Sequence, residues 1–417
     1  MRKKTQKTLL YLFLLLVVMF NSCTTDTVDN YNLNSEIEKE QLSGANFTEI
    51  NVDGTLVTVE ELTDGNYALG DMLFSKSVYS SASINTQSRA VGRTDRRWPN
   101  NIVSYYVQED VNGGVKNLID KAIRHVELFT NIRFVETDGS DLYALTFYSG
   151  GNCSASLGYV DEAGHSNFIY TGECNSSNAI VHEICHVLGL WHEQSRADRN
   201  DYIQVHFENT TQDSQFLIYG GTSNGFEYTE FDFNSIMLYH SYAASSNGQP
   251  VMTKIDGSTF ESNTSGQLSD LDIQGLEIMY PEVETKLYSI MGENGMYVSS
   301  ELGRQPITCN RTGVGAWEKF IITPVAQGKI VIQENKKKKY LTYDEEENAF
   351  TFNAIAIEDA VSFLVNEYSY GQTELFYGDW YDTLKLEGYN KFLHIDESSD
   401  GIVRLDYSSE FRIERVN

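Results

Sequence analysis

Positive charge is what this 417-residue chain has least of: 31 lysines and arginines stand against 59 aspartates and glutamates, for a formal net charge of -28. That balance repels phosphate backbones, which excludes nucleic acid as a natural partner and favours solubility among anionic surroundings. The one basic cluster beyond the N-terminus, Lys336 to Lys339, falls between short strand-like segments and reads as a solvated turn rather than a binding patch. Long apolar runs are also lacking. The nearest approach, Leu9 to Phe20, is too short to cross a bilayer comfortably. Cysteine is scarce: beyond Cys23 only Cys153, Cys174, Cys185 and Cys309 remain, and in an exported chain two of these can pair. Histidine is scarce too, with eight in all, so any clustering of it is informative.

What is present begins with an address. Arg2, Lys3, Lys4 and Lys7 precede the apolar run, the arrangement of a secretory signal, so export is expected. Phe20-Asn21-Ser22-Cys23 then resembles a bacterial lipoprotein processing site, in which Cys23 becomes the lipidated first residue; Phe20 and Asn21 depart from its commonest form. Acyl chains on Cys23 would anchor the chain to a membrane, each buried methylene contributing about 0.8 kcal/mol. Ordinary signal cleavage beside a cysteine is the alternative. The expected location is the outer membrane or cell surface of a bacterium, with secretion after processing also open.

Three of the eight histidines fall in one eleven-residue stretch, where His182, Glu183, His186, Gly189 and His192 spell HExxHxxGxxH. Residues four apart share a helix face, so His182 and His186 can offer two nitrogens to one ion. Gly189, free to take the left-handed conformation, ends the helix and lets His192 approach from another direction. Three neutral imidazoles suit Zn2+ and leave a position for water. Glu183, about 100° around the helix from His182, is expected beside the metal rather than on it. Two histidines on an ordinary solvated helix is the competing reading, and Gly189 with His192 tells against it.

The length allows two or three domains. Residues 1–22 read as the signal peptide and 23–89 as a polar tether followed by a propeptide, with basic residues at Arg89 and Arg93 that a trypsin-like protease could cut. From Trp98 the chain looks folded. Ile102 to Val107 has strand character, Val115 to Thr130 carries apolar residues at helical spacing, and Ile132 to Val135 and Leu142 to Tyr148 are strand-like. The metal helix is expected to be capped near Ser177 or Asn178, and Ser269 with Asp272 forms a capping-box-like start for a last helix stopped by Pro281. An α+β domain over 90–283, a mixed sheet with the active-site helix behind it, is the expected assembly.

These residues resemble the astacin family of zinc metalloendopeptidases, within the metzincins. The likeness rests on His182 to His192, continued by Glu193-Gln194-Ser195-Arg196 and Asp201-Tyr202-Ile203, and on Ser235-Ile236-Met237-Leu238-Tyr239, which looks like the family's Met-turn. It also takes in Arg97-Trp98-Pro99, Cys153 to Gly158 and Leu268 to Ile273, and covers about Ala90 to Tyr280. The resemblance implies that His182, His186 and His192 bind one Zn2+ and that Glu183 acts on zinc-bound water as base and acid. Tyr239 would be a displaceable ligand that stabilises the oxyanion, with Met237 packing beneath the site. Glu193 matches the residue that meets the mature N-terminus, which would be Ala90. Cys153 and Cys174 match one family disulfide, and the second bridge is missing because its positions hold no cysteine. Cys185 falls on the metal helix, where a core role stands against redox exchange. Propeptides of the family silence the enzyme with an aspartate that replaces the catalytic water; Ala68-Leu69-Gly70-Asp71 keeps the Gly-Asp of that motif without its Phe, so Asp71 is either this latch or part of a surface turn.

Residues 284–417 change character, to short alternating segments without helical period. Tyr297-Val298, Tyr340-Leu341 and Phe392-Leu393 are read as opening three units, which Phe320, Phe363 and Phe411 close. Three units too small to hold separate cores suggest a closed three-fold all-β barrel, resembling a β-trefoil of the fascin type, against a non-repeating sandwich. Such domains often bind glycans or proteins. The expected whole is an exported, monomeric endopeptidase acting on protein or peptide substrates; a silent surface adhesin that binds glycans through its C-terminal domain is the alternative.

Overall fold

The computed structural model describes residues 47–52, 55–63, 65–76, 79, 96–161, 166–219, 229–263, 267–282, 285–301, 305–325, 329–366, 383–386, 392–396, 402–406 and 411–416. The expected signal peptide, Cys23, the Arg89/Ala90 junction and Arg93 lie outside these residues. From Thr48 onward the chain is one compact unit. Among the described residues no helix is long and apolar enough to cross a membrane.

The first four strands are β1 (Phe47–Val52), β2 (Thr55–Glu61), β3 (Tyr67–Leu69) and β4 (Met72–Phe74). Next come β5 (Ile102–Val107), helix α1 (Gly113–Phe129), β6 (Arg133–Glu136), β7 (Leu145–Tyr148), β8 (Cys153–Ser156) and β9 (Asn167–Thr171). The strands form one mixed sheet in the order β1-β2-β3-β4-β8-β9-β7-β5-β6. The sheet is larger than the sequence implied. Residues 47–74 show only scattered strand-like triplets within a polar stretch, yet they add four strands, because alternation in short pieces such as Leu56-Val57-Thr58-Val59 still buries every second residue: Val57, Val59, Leu69 and Phe74 are all buried.

Helix α1 begins at Asn112, whose side chain accepts the Val115 N–H, and buries Ile119, Ala122, Ile123, Val126 and Phe129. Helix α2 (Ser177–Val187) lies against it in the same core, and helix α3 (Asp270–Met279) closes the domain behind Ser269, with the reciprocal capping box expected from sequence. A small lower sheet pairs β10 (Ile203–Val205) with β11 (Met252–Lys254).

Among the described residues the all-β region holds twelve strands: β12 (Leu287–Gly292), β13 (Tyr297–Ser299), β14 (Thr308–Arg311), β15 (Phe320–Val325), β16 (Lys329–Glu334), β17 (Tyr340–Asp344), β18 (Ala349–Ala354), β19 (Ser362–Asn366), β20 (Thr383–Leu386), β21 (Phe392–Asp396), β22 (Ile402–Asp406) and β23 (Phe411–Val416). Pairings β12–β15, β15–β16, β16–β19, β19–β20 and β23–β12 build a barrel wall. The hairpins β13–β14, β17–β18 and β21–β22 hang one per unit, which is the β-trefoil arrangement. One detail of the repeat differs from the sequence reading. Tyr297, Tyr340 and Phe392 open the second strand of each unit, not the unit itself, because the first strands alternate without sharing a signature residue. Phe320, Phe363 and Phe411, on the fourth strands, are fully buried in the barrel.

The trefoil is fixed to the protease region rather than strung from it. A continuous buried cluster runs through both. The Tyr288 hydroxyl donates to Glu127 O at 2.9 Å, Lys286 Nζ to Thr130 O at 2.7 Å and Arg415 to Ile132 O at 3.3 Å, so carbonyls in the last turn of α1 and just beyond it are satisfied from residues 286–415.

Candidate metal centre

Helix α2 starts at Ser176, one residue before the expected cap, where an extended backbone lets the hydroxyl accept the Ala179 N–H at 3.3 Å. It ends where Gly189 takes φ +101°, a conformation that favours glycine. A side chain there would also meet the Met279 methyl, since a Cβ would stand 3.2 Å from it. The Gly189 and Leu190 N–H groups close the helix on His186 O and Cys185 O, and the chain turns so that His192 faces the helix.

The ring nitrogens have defined roles. His182 Nδ1 lies 2.8 Å from Ile236 O and His186 Nδ1 lies 2.8 Å from Leu190 O. A carbonyl can only accept, so both Nδ1 atoms carry a proton, and in the neutral ring that binds a metal each Nε2 presents a lone pair. The Nε2 atoms of His182 and His192 are 3.3 Å apart. Ligand atoms about 2.05 Å from a tetrahedral zinc are separated by roughly 3.3 Å, so the spacing fits.

Asp71 completes the cluster. Its carboxylate lies 3.3 Å from His182 Nε2, 3.3 Å from His186 Nε2 and 3.0 Å from His192 Nε2, and it accepts the Tyr239 hydroxyl at 3.3 Å. These four residues form a candidate metal-holding group. Asp71 Oδ1 and neutral His186 Nε2 face one another, both are acceptors, and neither has a hydrogen-bond donor among the described residues. Two lone pairs at that distance need a cation between them. The donor set therefore fits one zinc.

With only the protein groups present, the carboxylate and the imidazoles shift one another's protons. Burial raises an isolated carboxyl, yet the three imidazoles that face it, His192 foremost, outweigh it and hold Asp71 well below its ordinary range. Burial alone would lower His182, but Asp71 lifts it to about 9, whereas burial wins at His186 and pushes it down to about 4. Glu183 is buried with Oε2 lacking a hydrogen-bond partner among the described residues, and burial together with the Asp71 charge raises it well above a normal glutamate. Burial likewise raises the Tyr239 phenol, whose ring lies 4.5 Å from that of His192.

Asp71 is carried in by the extra strands. The β4–β8 pairing is parallel, with Met72 opposite Ala155 and Leu73 opposite Ser156, and Asp71 O accepts the Ala155 N–H at 2.9 Å. Gly70, at φ +64°, makes the turn, and a Cβ there would stand 3.0 Å from the Tyr239 hydroxyl oxygen. Phe74 packs against Trp191 with ring centroids 6.3 Å apart, and the Tyr219 hydroxyl donates to Thr58 O at 3.0 Å.

The other sequence-derived positions are also placed. Met237 is buried in the core cluster that contains α2. The Glu193 side chain accepts the Asp232 N–H at 2.8 Å and lies 3.5 Å from Arg196; burial nonetheless pushes it up to about 8. Cys153 and Cys174 form a disulfide. Cys185 and Cys309 are free and buried, in keeping with a core role for Cys185. Sequence reasoning missed Gln194, whose Oε1 accepts the Tyr239 N–H at 3.3 Å, and the contact of Asp272 with the Met-turn. Gln194 gives no signal by type; Asp272 was visible only as a helix cap.

Three imidazoles on one cation position, with a buried carboxylate beside them, define a zinc metallopeptidase site. Residues 90–281 match the family model for astacin, a family of peptidases. Flavastacin of Elizabethkingia meningoseptica is 30% identical over 301 residues, covering 68% of this chain and 65% of that protein. Protein SpAN of Strongylocentrotus purpuratus is 32% identical over 213 residues, covering 47% of this chain and 34% of that one. Among solved structures, high choriolytic enzyme 1, a hatching enzyme zinc-protease from Oryzias latipes, is 26% identical with a TM-score of 0.41, covering 46% of this chain and 97% of that one. The chain spans less than two thirds of the length of the two curated relatives. By its family match and its metal centre, the segment 90–281 is a zinc metalloendopeptidase domain of the astacin family.

Proposed function

We propose that the chain is an exported endopeptidase for protein substrates, anchored through Cys23 and made as a latent precursor in which residues 23–89 are tether and propeptide. The observation that carries this reading is the Asp71 carboxylate, set 3.0 to 3.3 Å from three imidazole nitrogens. His182, His186 and His192 would hold the zinc. When bound, zinc supplies Lewis acidity, lowering the pKa of water towards about 7 and polarising the scissile carbonyl.

The chain's own residues do the rest. Glu183, desolvated and without a competing hydrogen bond at Oε2, takes the proton of the attacking water and later delivers it to the leaving amine. The Tyr239 hydroxyl donates to the carbonyl oxygen as negative charge develops there, a kind of contribution worth about 3 kcal/mol. In the precursor Asp71 engages both this hydroxyl and the imidazoles, while β4 covers β8. Substrate and water are kept from the same atoms by one strand.

Cleavage after Arg89 would free the Ala90 ammonium, and the half-buried Glu193 carboxyl is the acceptor we assign to it. An acid raised to about 8 by desolvation gains most from a cation. N-terminal sequencing of active material should begin at Ala90, with activity appearing only on that cut. An active form beginning elsewhere, or full activity in the uncut chain, overturns the reading.

A further inference from the structure

We propose that Asp272 is a positioning residue for the metal centre, orienting His182 through the backbone of the Met-turn. This role rests on the reading of His182 as a metal ligand. In a capping box the N3 side chain need only return to the N-cap N–H, and Asp272 Oδ2 does accept the Ser269 N–H at 2.9 Å. Its remaining lone pairs would ordinarily face water. Here Asp272 is buried and they go to the Met-turn: Oδ1 accepts the Ser235 hydroxyl at 2.6 Å and Oδ2 accepts the Ile236 N–H at 2.9 Å.

The next bond along reaches the site. The carbonyl of that same Ile236 accepts the His182 Nδ1–H at 2.8 Å, so one residue is held at its N–H by a carboxylate and holds an imidazole with its C=O. The Ser235 hydroxyl also accepts the Met237 N–H at 3.0 Å, which ties the turn to the same carboxylate from its other side. Partners that fix the second nitrogen of a metal-binding histidine set its tautomer and ring direction, and their loss commonly weakens metal affinity roughly 10- to 100-fold. Asp272 fixes that partner. It is a single carboxylate that both starts α3 and aims His182.

The test measures zinc affinity of the full-length chain by competition with a chelator, in wild type, Ser235→Ala, Asp272→Asn and Ser269→Ala, with thermal stability in parallel. Ser269→Ala is the matched control, because it removes the cap hydroxyl and leaves every bond between Asp272 and the Met-turn. We expect Ser235→Ala and Asp272→Asn to lower zinc affinity by about tenfold or more, while Ser269→Ala loses stability and keeps wild-type affinity. Wild-type affinity in Ser235→Ala and Asp272→Asn, or an equal loss in all three variants, overturns the proposal. If Asp272→Asn does not fold, Ser235→Ala decides. A wild-type chain that binds no zinc would instead refute the ligand assignment beneath it.

Discussion

Replacing Asp71 by alanine should unlock the uncut chain. The carboxylate faces three imidazole nitrogens and accepts one phenol, and hydrogen bonds to a charged group contribute about 1.5 to 3 kcal/mol each. Loss of two such interactions shifts the balance between covered and uncovered sites by roughly 100- to 10,000-fold. The neighbouring contacts remain: β4 is still paired with β8, and Phe74 is still packed against Trp191. The expected phenotype is thus a leak rather than full activity. The assay is hydrolysis of a short quenched-fluorescent peptide by full-length protein carrying Arg89→Ala and Arg93→Ala, which removes the expected activation cuts, with and without Asp71→Ala. A rise of about two orders of magnitude is predicted. Uncut Asp71→Ala protein that holds stoichiometric zinc and is as silent as its parent would refute the latch.

The other expectations each come from a single feature. Glu183→Gln should keep zinc and lower kcat of the activated enzyme by about 100- to 10,000-fold, the range for a general base; comparison of metal content with turnover of casein checks it, and undiminished turnover contradicts it. Gly70→Ala should weaken the latch less than Asp71→Ala does, because left-handed backbone costs a side chain about 1 to 2 kcal/mol and the added Cβ meets the Tyr239 hydroxyl; a roughly tenfold leak in the same peptide assay is expected. His125 is neutral in the core, where Nε2 accepts the Leu268 N–H and burial pushes it from 6.5 to about 4. Below pH 6.5 the unfolded chain takes up the proton first, so this stability is complete above 6.5 and is lost as pH falls towards 4, by about 3 kcal/mol. Denaturant titrations of wild type and His125→Gln should converge as pH falls through that window, and parallel curves would contradict the assignment.

The chemistry of the site was legible because it is local. His182, His186 and His192 lie within one helix and its turn, and their spacing alone dictates that they converge. The helix α1, strand β5 and the capping box at Ser269 were readable for the same reason, since periodicity and caps act over a few residues. Two parts needed the third dimension. Residues 47–74 look polar, and their alternation gains meaning only when β4 finds β8, a strand far along the chain. Asp272 looked like a helix cap because its bonds to Ser235 and Ile236 cross a separation that no local pattern records. In the trefoil the buried phenylalanines of the fourth strands marked the repeat, whereas the first strands share no residue type and hid where each unit begins.

The central claim is most directly tested by crystals of the uncut chain and anomalous diffraction collected on both sides of the zinc absorption edge. The account predicts a single peak about 2.0 to 2.1 Å from Nε2 of His182, His186 and His192, with an Asp71 carboxylate oxygen as the fourth neighbour. A peak bound by other residues, or the three imidazoles closing on one another with no metal between them, would contradict it.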